Sequence, residues 1–317
     1  MKEENTEQAE YLCLIIWINN SLELVTMISN KNLIAYVNGK YVLLEKASVS
    51  ILDLGFTNSE MIYDTFRTFN KVPYFVDEHL QRLKYSSKYA GIKINISIPK
   101  IKKIINLLLK KNLKFLKRNE DLWCFLRFTR SGSAVIEMRK INFYNYAPFY
   151  KNGLRLHVPK LKRIPPEYLD PRFKNSSSYF TLSLAREEIW KFDRKANAIL
   201  LDKNNNINEG YGFNIFLIKN KTLYTPKSKY VLPGITRKKV INISKKLKMR
   251  ILEKNISLKE VNSYNECFVT ATGWGICPVK SLNKKIFKNQ KYTKQIQQSF
   301  GKSVKLDIVN QYLSFLK

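Results

Sequence analysis

Acidic residues, histidine and cysteine are all scarce in this 317-residue chain, and each scarcity removes a class of function. The four cysteines (Cys13, Cys124, Cys267 and Cys277) have no close pairing, which excludes a disulfide-dense secreted scaffold and a zinc ribbon. Two histidines, His79 and His157, leave little room for a histidine-rich metal site or a histidine relay, and no metal is expected. Chemistry must therefore rest on Lys, Arg, Asp, Glu, Tyr or Thr. Long hydrophobic runs are missing too. YLCLIIWI, Tyr11 to Ile18, falls short of the roughly 20 residues of a spanning helix. The acidic MKEENTEQAE precedes it, where a signal peptide would be basic. Residues 1–30 are read as an extension, and a cytoplasmic protein without a membrane partner is expected.

What is abundant is positive charge. There are 56 Lys and Arg against 25 Asp and Glu, a formal charge of +31, in a chain that is 44% hydrophobic and so can still bury a sizeable core. Such a balance first suggests an anionic polymer or membrane surface. The longest acid-free stretch, NISIPKIKKIINLLLKKNLKFLKR (Asn95 to Arg118), sets Ile101, Ile104, Ile105, Leu108, Leu109 and Leu113 at helical spacing between lysines. A core-packed surface helix and a membrane-surface helix both read this way. Lysines elsewhere are scattered rather than focused, which favours the packed helix and a compositional origin for the charge. A non-catalytic basic binding protein is the competing class.

Local signals give an α+β or α/β organisation. Asn38-Gly39 lies between two β-rich runs and predicts a hairpin. A second turn is expected at Asn70-Lys71, followed by a helix over DEHLQRLKYSSKYA that Asp77 caps and Gly91 ends. DLWCFLRFTRSGS and KINFYNYAPFY read as strands, and the prolines of HVPKLKRIPPEYLDPRFK oppose regular structure. Beyond them come a helix over SYFTLSLAREEIWKFDRK and strands in ANAILLD, INEGYGFNIFLIK and TLYTP. A helix over TRKKVINISKKLKM, a strand pair around ECFVTATG and a C-terminal helix follow. The expected division is an extension over 1–30, a small α+β domain over 31–150, a linker over 151–164 and a larger domain over 165–317.

Several residues could carry chemistry, and each has an ordinary alternative. In LPGITRKK, Gly234 precedes a helix start at Ile235 and Thr236 that suits a phosphate, or is a simple capped loop. The hydroxyls and glycines of TATGWGICP, including Thr272 and Gly273, could face an anion or merely turn the chain. Arg82 could bind an anion or sit solvated on its helix. Lys174 in DPRFKN could lose its proton and attack a carbonyl, but it is one lysine among many. Glu209, in a turn with two glycines, could hold a protonated ring nitrogen or lie exposed.

Their order is more informative than any one of them. The blocks VNGKYVLLEKASVSILDLGF, YFVDEHLQRLKYSS, DPRFKN, INEGYGFNIFLIKNKTLYTP, VLPGITRKKVI and ECFVTATGWGICPV resemble, in sequence, the class IV or fold-type IV aminotransferases. The likeness runs from about Ala35 to about Val279. It implies a two-domain enzyme, a small α+β domain plus a larger cofactor-binding domain with a β-barrel-like core and helices. It also implies pyridoxal 5′-phosphate as cofactor, an amino acid and a 2-oxo acid as substrates in a ping-pong cycle, and a homodimer. Carried over by position, Lys174 matches the lysine that bonds to the cofactor and Glu209 the carboxylate at its ring nitrogen. Arg82, Ile235, Thr236 and Thr272 match the phosphate site, Leu232 a ring contact, and Tyr179 a tyrosine near the cofactor in the branched-chain enzymes. Tyr63, Thr272 and Gly273 fall on the substrate side. Branched-chain amino acids are the favoured donors. D-amino acid or (R)-amine transamination and aminodeoxychorismate lyase chemistry remain alternatives. The arginine and histidine that trap a carboxylate in D-amino acid enzymes are not matched, with Arg127 and Arg130 as nearby substitutes. Tyr211 and Trp274 are bulkier than the small residues usual at their positions. The TRSGS stretch is the expected loop toward a second subunit.

Overall fold

Asn38 and Gly39 both take positive φ, 48° and 96°, and close the expected hairpin between β1 (Ile34–Val37) and β2 (Lys40–Leu43). The computed structural model describes residues 30–316; the expectations for Tyr11–Ile18 and Cys13 lie outside the described residues. A short helix α1 (Leu54–Thr57) leads into β3 (Met61–Phe69), which turns at Asn70-Lys71 (φ 50° and 66°) into β4 (Val72–Pro73). Helices α2 (Val76–Ala90) and α3 (Ile98–Asn112) follow, then β5 (Leu122–Thr129) and β6 (Ala134–Lys140). The six strands form one antiparallel sheet in the order β2-β1-β6-β5-β3-β4.

One local expectation changes here. Asp77 does not cap α2: the cap position is Phe75 in left-handed conformation, and Asp77 lies in the first turn, paired with Lys102 at 2.5 Å. A carboxylate there complements the positive end of the helix without capping it. The apolar stripe of α3 packs into the core of the sheet, with Ile101, Ile104, Ile105, Leu108 and Leu109 beside Phe66, Leu83, Phe128 and Ile136. Each of these buried side chains contributes roughly 2 kcal/mol. The apolar face that a membrane-surface helix would need is used by the protein's own core.

KINFYNYAPFY, expected as a strand, is the helix α4 (Phe143–Asn152). The Asn142 side chain accepts a hydrogen bond from the Asn145 N–H at 3.3 Å, and Phe143, Ala147 and Tyr150 fall on one buried face. Helical spacing of the buried side chains outweighs the β preference of the aromatics. The expected linker also carries structure, β7 (Leu154–His157). After it come α5 (Ser177–Trp190), β8 (Ala196–Leu201), β9 (Ile207–Gly210), β10 (Phe213–Lys219) and β11 (Thr222–Thr225). Helix α6 (Ile235–Lys246), β12 (Arg250–Glu253), β13 (Glu266–Ala271), β14 (Gly275–Leu282) and β15 (Lys285–Ile286) complete the sheet region. The chain ends in α7 (Lys291–Ser303) and α8 (Ile308–Leu313).

The second sheet runs β12-β11-β10-β13-β14-β7-β8-β9, and β9 pairs back with β10. Strands β10, β13, β14, β7, β8 and β9 therefore close a six-stranded barrel, which leaves that ring without an open edge. β7 is parallel to both its neighbours, so it is the strand that the crossing connections enter. Helix α4 packs against α8: the Phe143 and Tyr312 rings lie 5.0 Å apart, and Tyr150 stacks on Tyr312 at 4.3 Å. No helix among the described residues is long and apolar enough to cross a membrane.

Candidate active site

The segment after the prolines is extended, and it lays Lys174 against the open end of β3. The Tyr63 N–H donates to the Lys174 carbonyl at 3.3 Å, and the Ser176 N–H donates to the Met61 carbonyl at 3.0 Å. The Lys174 N–H donates to Ser86 Oγ on α2 at 2.9 Å. Two elements, β3 and α2, thus fix this segment. Lys174 is the one buried lysine among the described residues, at 9% exposure. Its Nζ lies 4.3 Å from the Tyr63 ring centre and 5.2 Å from that of Tyr179. Aromatic faces favour a cation but offer no hydrogen bond, so the amine stays free to react.

Glu209 stands at the end of β9, buried rather than exposed. Its Oε1 accepts from Arg163 Nε and Nη2 at 3.2 and 3.1 Å, and its Oε2 from the Leu232 N–H at 2.9 Å. Arg163 is itself buried, and its Nη1 has no hydrogen-bond partner among the described residues. A charge withdrawn from water in this way is tolerable only because it is paired and hydrogen-bonded.

Arg82 projects from α2 to Asp64 on β3. Nε and Nη2 donate to Oδ2 and Oδ1 at 2.8 Å each, a bidentate pair, while Nη1 reaches the Pro233 carbonyl at 3.3 Å. His79 Nδ1 lies 2.6 Å from Asp64 Oδ1. Burial would push the Asp64 carboxyl up, but Arg82 and His79 hold it well below the usual carboxylate range. Burial lowers the His79 imidazole, against the pull of Asp64. Pro233 leads into Gly234, the residue before α6, so Arg82 is tethered to the helix whose first turn holds Ile235 and Thr236 and no acidic residue. A Cβ on Gly234 would collide with the side chain of Asn214, whose Nδ2 donates to the Leu232 carbonyl at 3.0 Å. Only glycine lets the loop lie this close.

The loop Thr272–Gly273–Trp274 joins β13 to β14 and is held from outside. Arg67, fully buried, donates from Nη1 to the Gly273 carbonyl at 2.9 Å and from Nη2 to Asp121 at 3.3 Å and Gln311 at 3.2 Å. Tyr312 donates to the same carbonyl, and Tyr150 to that of Trp274.

All ten residues proposed from sequence line one cavity of about 400 Å³: Tyr63, Arg82, Lys174, Tyr179, Glu209, Leu232, Ile235, Thr236, Thr272 and Gly273. Of the residues that sequence reasoning missed, Asp64 and Arg67 stand behind these and Arg163 shares the lining. Asp64 and Arg163 supply the opposite charges, and Arg67 braces the loop; no motif spacing marks any of them. Of the two arginines considered as carboxylate traps, Arg127 lines the cavity, paired with Glu137, while Arg130 pairs with Glu60 and donates to the Ala90 carbonyl at 2.9 Å. Arg130 therefore lies on the surface and not in the site.

One cavity thus carries a reactive amine, an arginine beside a helix start, and a buried carboxylate. The family model of amino-transferase class IV matches residues 61–282, a span that holds every one of these groups. The chain belongs to the class IV aminotransferases. Similar proteins include one from Rickettsia felis, 27% identical over 278 residues, covering 85% of this chain and 95% of its own, and one from Aquifex aeolicus, 27% identical over 291 residues, covering 86% and 92%. Each is named as a probable branched-chain-amino-acid aminotransferase. The solved branched-chain amino acid aminotransferase of Escherichia coli has the same fold, with a TM-score of 0.77 at 24% identity over 85% of this chain and 94% of that one.

Class IV aminotransferases work with pyridoxal 5′-phosphate, and their reaction is amino-group transfer. The residues present fit that group. Arg82 and the first turn of α6, which holds no acidic residue, suit its phosphate. Thr270 Oγ1 and Trp123 Nε1, both in the cavity wall, are buried without a hydrogen-bond partner among the described residues. When bound, the cofactor supplies an electron-withdrawing ring that stabilises negative charge at the substrate α-carbon.

Proposed function

We propose that this aminotransferase takes its amino group from a branched-chain amino acid, passes it to a 2-oxo acid, and acts as a homodimer in the cytoplasm without nucleic acid or membrane. The single observation behind the site assignment is the convergence of Lys174, Glu209 and Arg82 on one cavity, with a single lysine among its lining residues. In this reading Lys174 is the residue that would hold the cofactor through its aldehyde and would carry the proton at the donor α-carbon. Glu209, ionised, would accept a hydrogen bond from the protonated ring nitrogen and keep the proton there. Arg82, Ile235, Thr236 and Thr272 hold the phosphate, so that orientation is set far from the reacting atoms. Leu232 and Tyr179 pack beside the ring, and Tyr63, Thr272 and Gly273 face the donor.

The names of the relatives support a branched-chain donor, and so does the lining. Tyr63, Trp123, Phe125, Tyr146, Tyr211 and Trp274 give the cavity aromatic walls. Burial pushes the Tyr146 phenol up to about 12, so it is neutral at physiological pH. Arg127, which lies over the Phe125 ring at 4.6 Å, is paired with Glu137, which Arg139 also meets at 2.9 Å. An uncharged branched side chain suits such walls. A homodimer is supported by the exposed apolar loop residues Ile51, Leu52 and Phe56, at 75%, 80% and 68% exposure. TRSGS, the β5–β6 turn, braces that loop: Ser131 Oγ accepts from the Leu54 N–H at 2.9 Å.

The test is a half-reaction panel with the holoenzyme. Leu, Ile, Val, D-Ala, Glu and (R)-1-phenylethylamine are mixed singly with it and the loss of the cofactor's absorption is followed. Fastest conversion with Leu, Ile or Val supports the reading. Conversion by D-Ala or the amine alone overturns the donor assignment.

A further inference from the structure

Strands β9 and β10 are joined by two residues, Tyr211 and Gly212, with Gly210 paired to Phe213. Gly212 has φ +77° while Tyr211 keeps negative φ, the pattern of a type II turn, which requires glycine at its second central position. Tyr211 therefore sits at the tip of the tightest possible connection, two residues past Glu209, and it lines the same cavity.

Its ring is held from two sides. The edge of Tyr179 meets it at 5.2 Å and 73°. The Arg186 guanidinium lies 4.4 Å from the Tyr211 ring centre and 4.3 Å from that of Trp190, a cation between two aromatic faces. Arg186 Nε is buried without a hydrogen-bond partner among the described residues, and its ion partner Glu187 is 54% exposed and 3.2 Å away. The aromatic contacts thus account for its placement better than the weak surface pair does. Trp274 closes the cavity further along, with Tyr146 at 5.4 Å and Phe213 at 5.5 Å from its ring.

We propose that Tyr211 sets the upper size of the donor side chain, admitting branched aliphatic groups and excluding aromatic ones, and that Arg186 is the residue that positions it. The proposal rests on the branched-chain reading above and narrows it. The phenol ring fills volume that a donor's aromatic ring would need. Swinging it aside would break the contact with Tyr179 and the stack on Arg186 together.

The experiment measures kcat/KM of the holoenzyme for alanine, leucine and phenylalanine, with the cofactor absorption and melting temperature as controls on folding. The wild type is expected to use leucine and to reject phenylalanine. Tyr211→Ala should raise the phenylalanine-to-alanine ratio by about tenfold or more. Arg186→Ala should raise it in the same direction by about threefold, and Arg186→Lys, which keeps the cation, should return most of the shift. A structural role alone would lower all three donors together and leave the ratio fixed. If Tyr211→Ala does not hold cofactor, Tyr211→Leu and Arg186→Ala are read by the same ratio. A wild type that uses phenylalanine as well as leucine, or a ratio unmoved in the variants, overturns the proposal. A wild type that uses none of the three donors overturns the branched-chain reading alone. Size selection is then read on the aminated holoenzyme with pyruvate against phenylpyruvate, where an unmoved ratio in Tyr211→Ala still overturns it.

Discussion

Two buried arginine–carboxylate pairs serve the cavity, and they are built in opposite senses. At Arg82–Asp64 the arginine lines the cavity and the aspartate stands behind it. At Arg163–Glu209 both groups reach the lining, but Glu209 is also fixed by a backbone N–H, at Leu232. The first pair presents positive charge beside a helix start. The second presents a carboxylate whose neighbours keep it in place. The difference shows how a site can bury charges of both signs: each is neutralised from the side away from its work, and the group nearer the ligand decides which end of the cofactor it suits. For a ligand with an anionic phosphate at one end and a basic ring nitrogen at the other, the arrangement also fixes direction.

The comparison breaks most completely at the amine that both ends would serve. Lys174→Ala should lower kcat by about 10⁴-fold or more, while the two pairs still hold the cofactor non-covalently. Absorption spectra before and after dialysis check this, and a variant that turns over normally would refute the assignment. Next come the two facing charges. Glu209→Gln should lower kcat by about 10²–10³-fold with little change in cofactor affinity, since it alters the ring and not the phosphate. Arg82→Gln should do the reverse and weaken cofactor binding by about 10²-fold, as read by fluorescence titration. Equal effects on both quantities in both variants would erase the distinction between the ends.

The hidden partners give a smaller effect, in stability. Asp64→Asn strands a buried arginine and should cost about 3 kcal/mol in urea unfolding, whereas an exposed pair such as Arg186–Glu187 should cost less than about 1 kcal/mol. The smallest effect is in pH. Both shifts are downward, Asp64 from 3.8 and His79 from 6.5, so the unfolded chain binds more protons than the native one as acid is added. The His79 contribution is complete above pH 6.5 and fades as pH falls below it; that of Asp64 is complete above 3.8 and is lost only in stronger acid. Melting temperatures of wild type and His79→Asn between pH 7 and 5 should differ in slope, the variant being the flatter.

The forward half of each pair was legible in the sequence and the hidden half was not. Arg82, Lys174 and Glu209 lie in blocks whose order is characteristic. Asp64 is 18 residues from Arg82 and Arg163 is 46 from Glu209, at positions where any buried counter-charge would serve equally well. The same holds for the fold. Asn-Gly and Asn-Lys turns announce themselves because few residues tolerate positive φ. Helix α4 was hidden because its run of aromatics carries β propensity, while the packing that settles it comes from α8, at the far end of the chain.

That distant contact has a consequence for how the molecule opens. Terminal helices are ordinarily the first segments to fray. Here Gln311 and Tyr312 of α8 hold Arg67, and Tyr312 and Arg67 together hold the Gly273 carbonyl. Peeling α8 away would take two hydrogen-bond partners from buried Arg67 and one from the Gly273 carbonyl. Helix α8 and the Thr272–Trp274 loop should therefore exchange their amide hydrogens as one cooperative unit. A ligand that orders the loop should slow exchange in α8 as well.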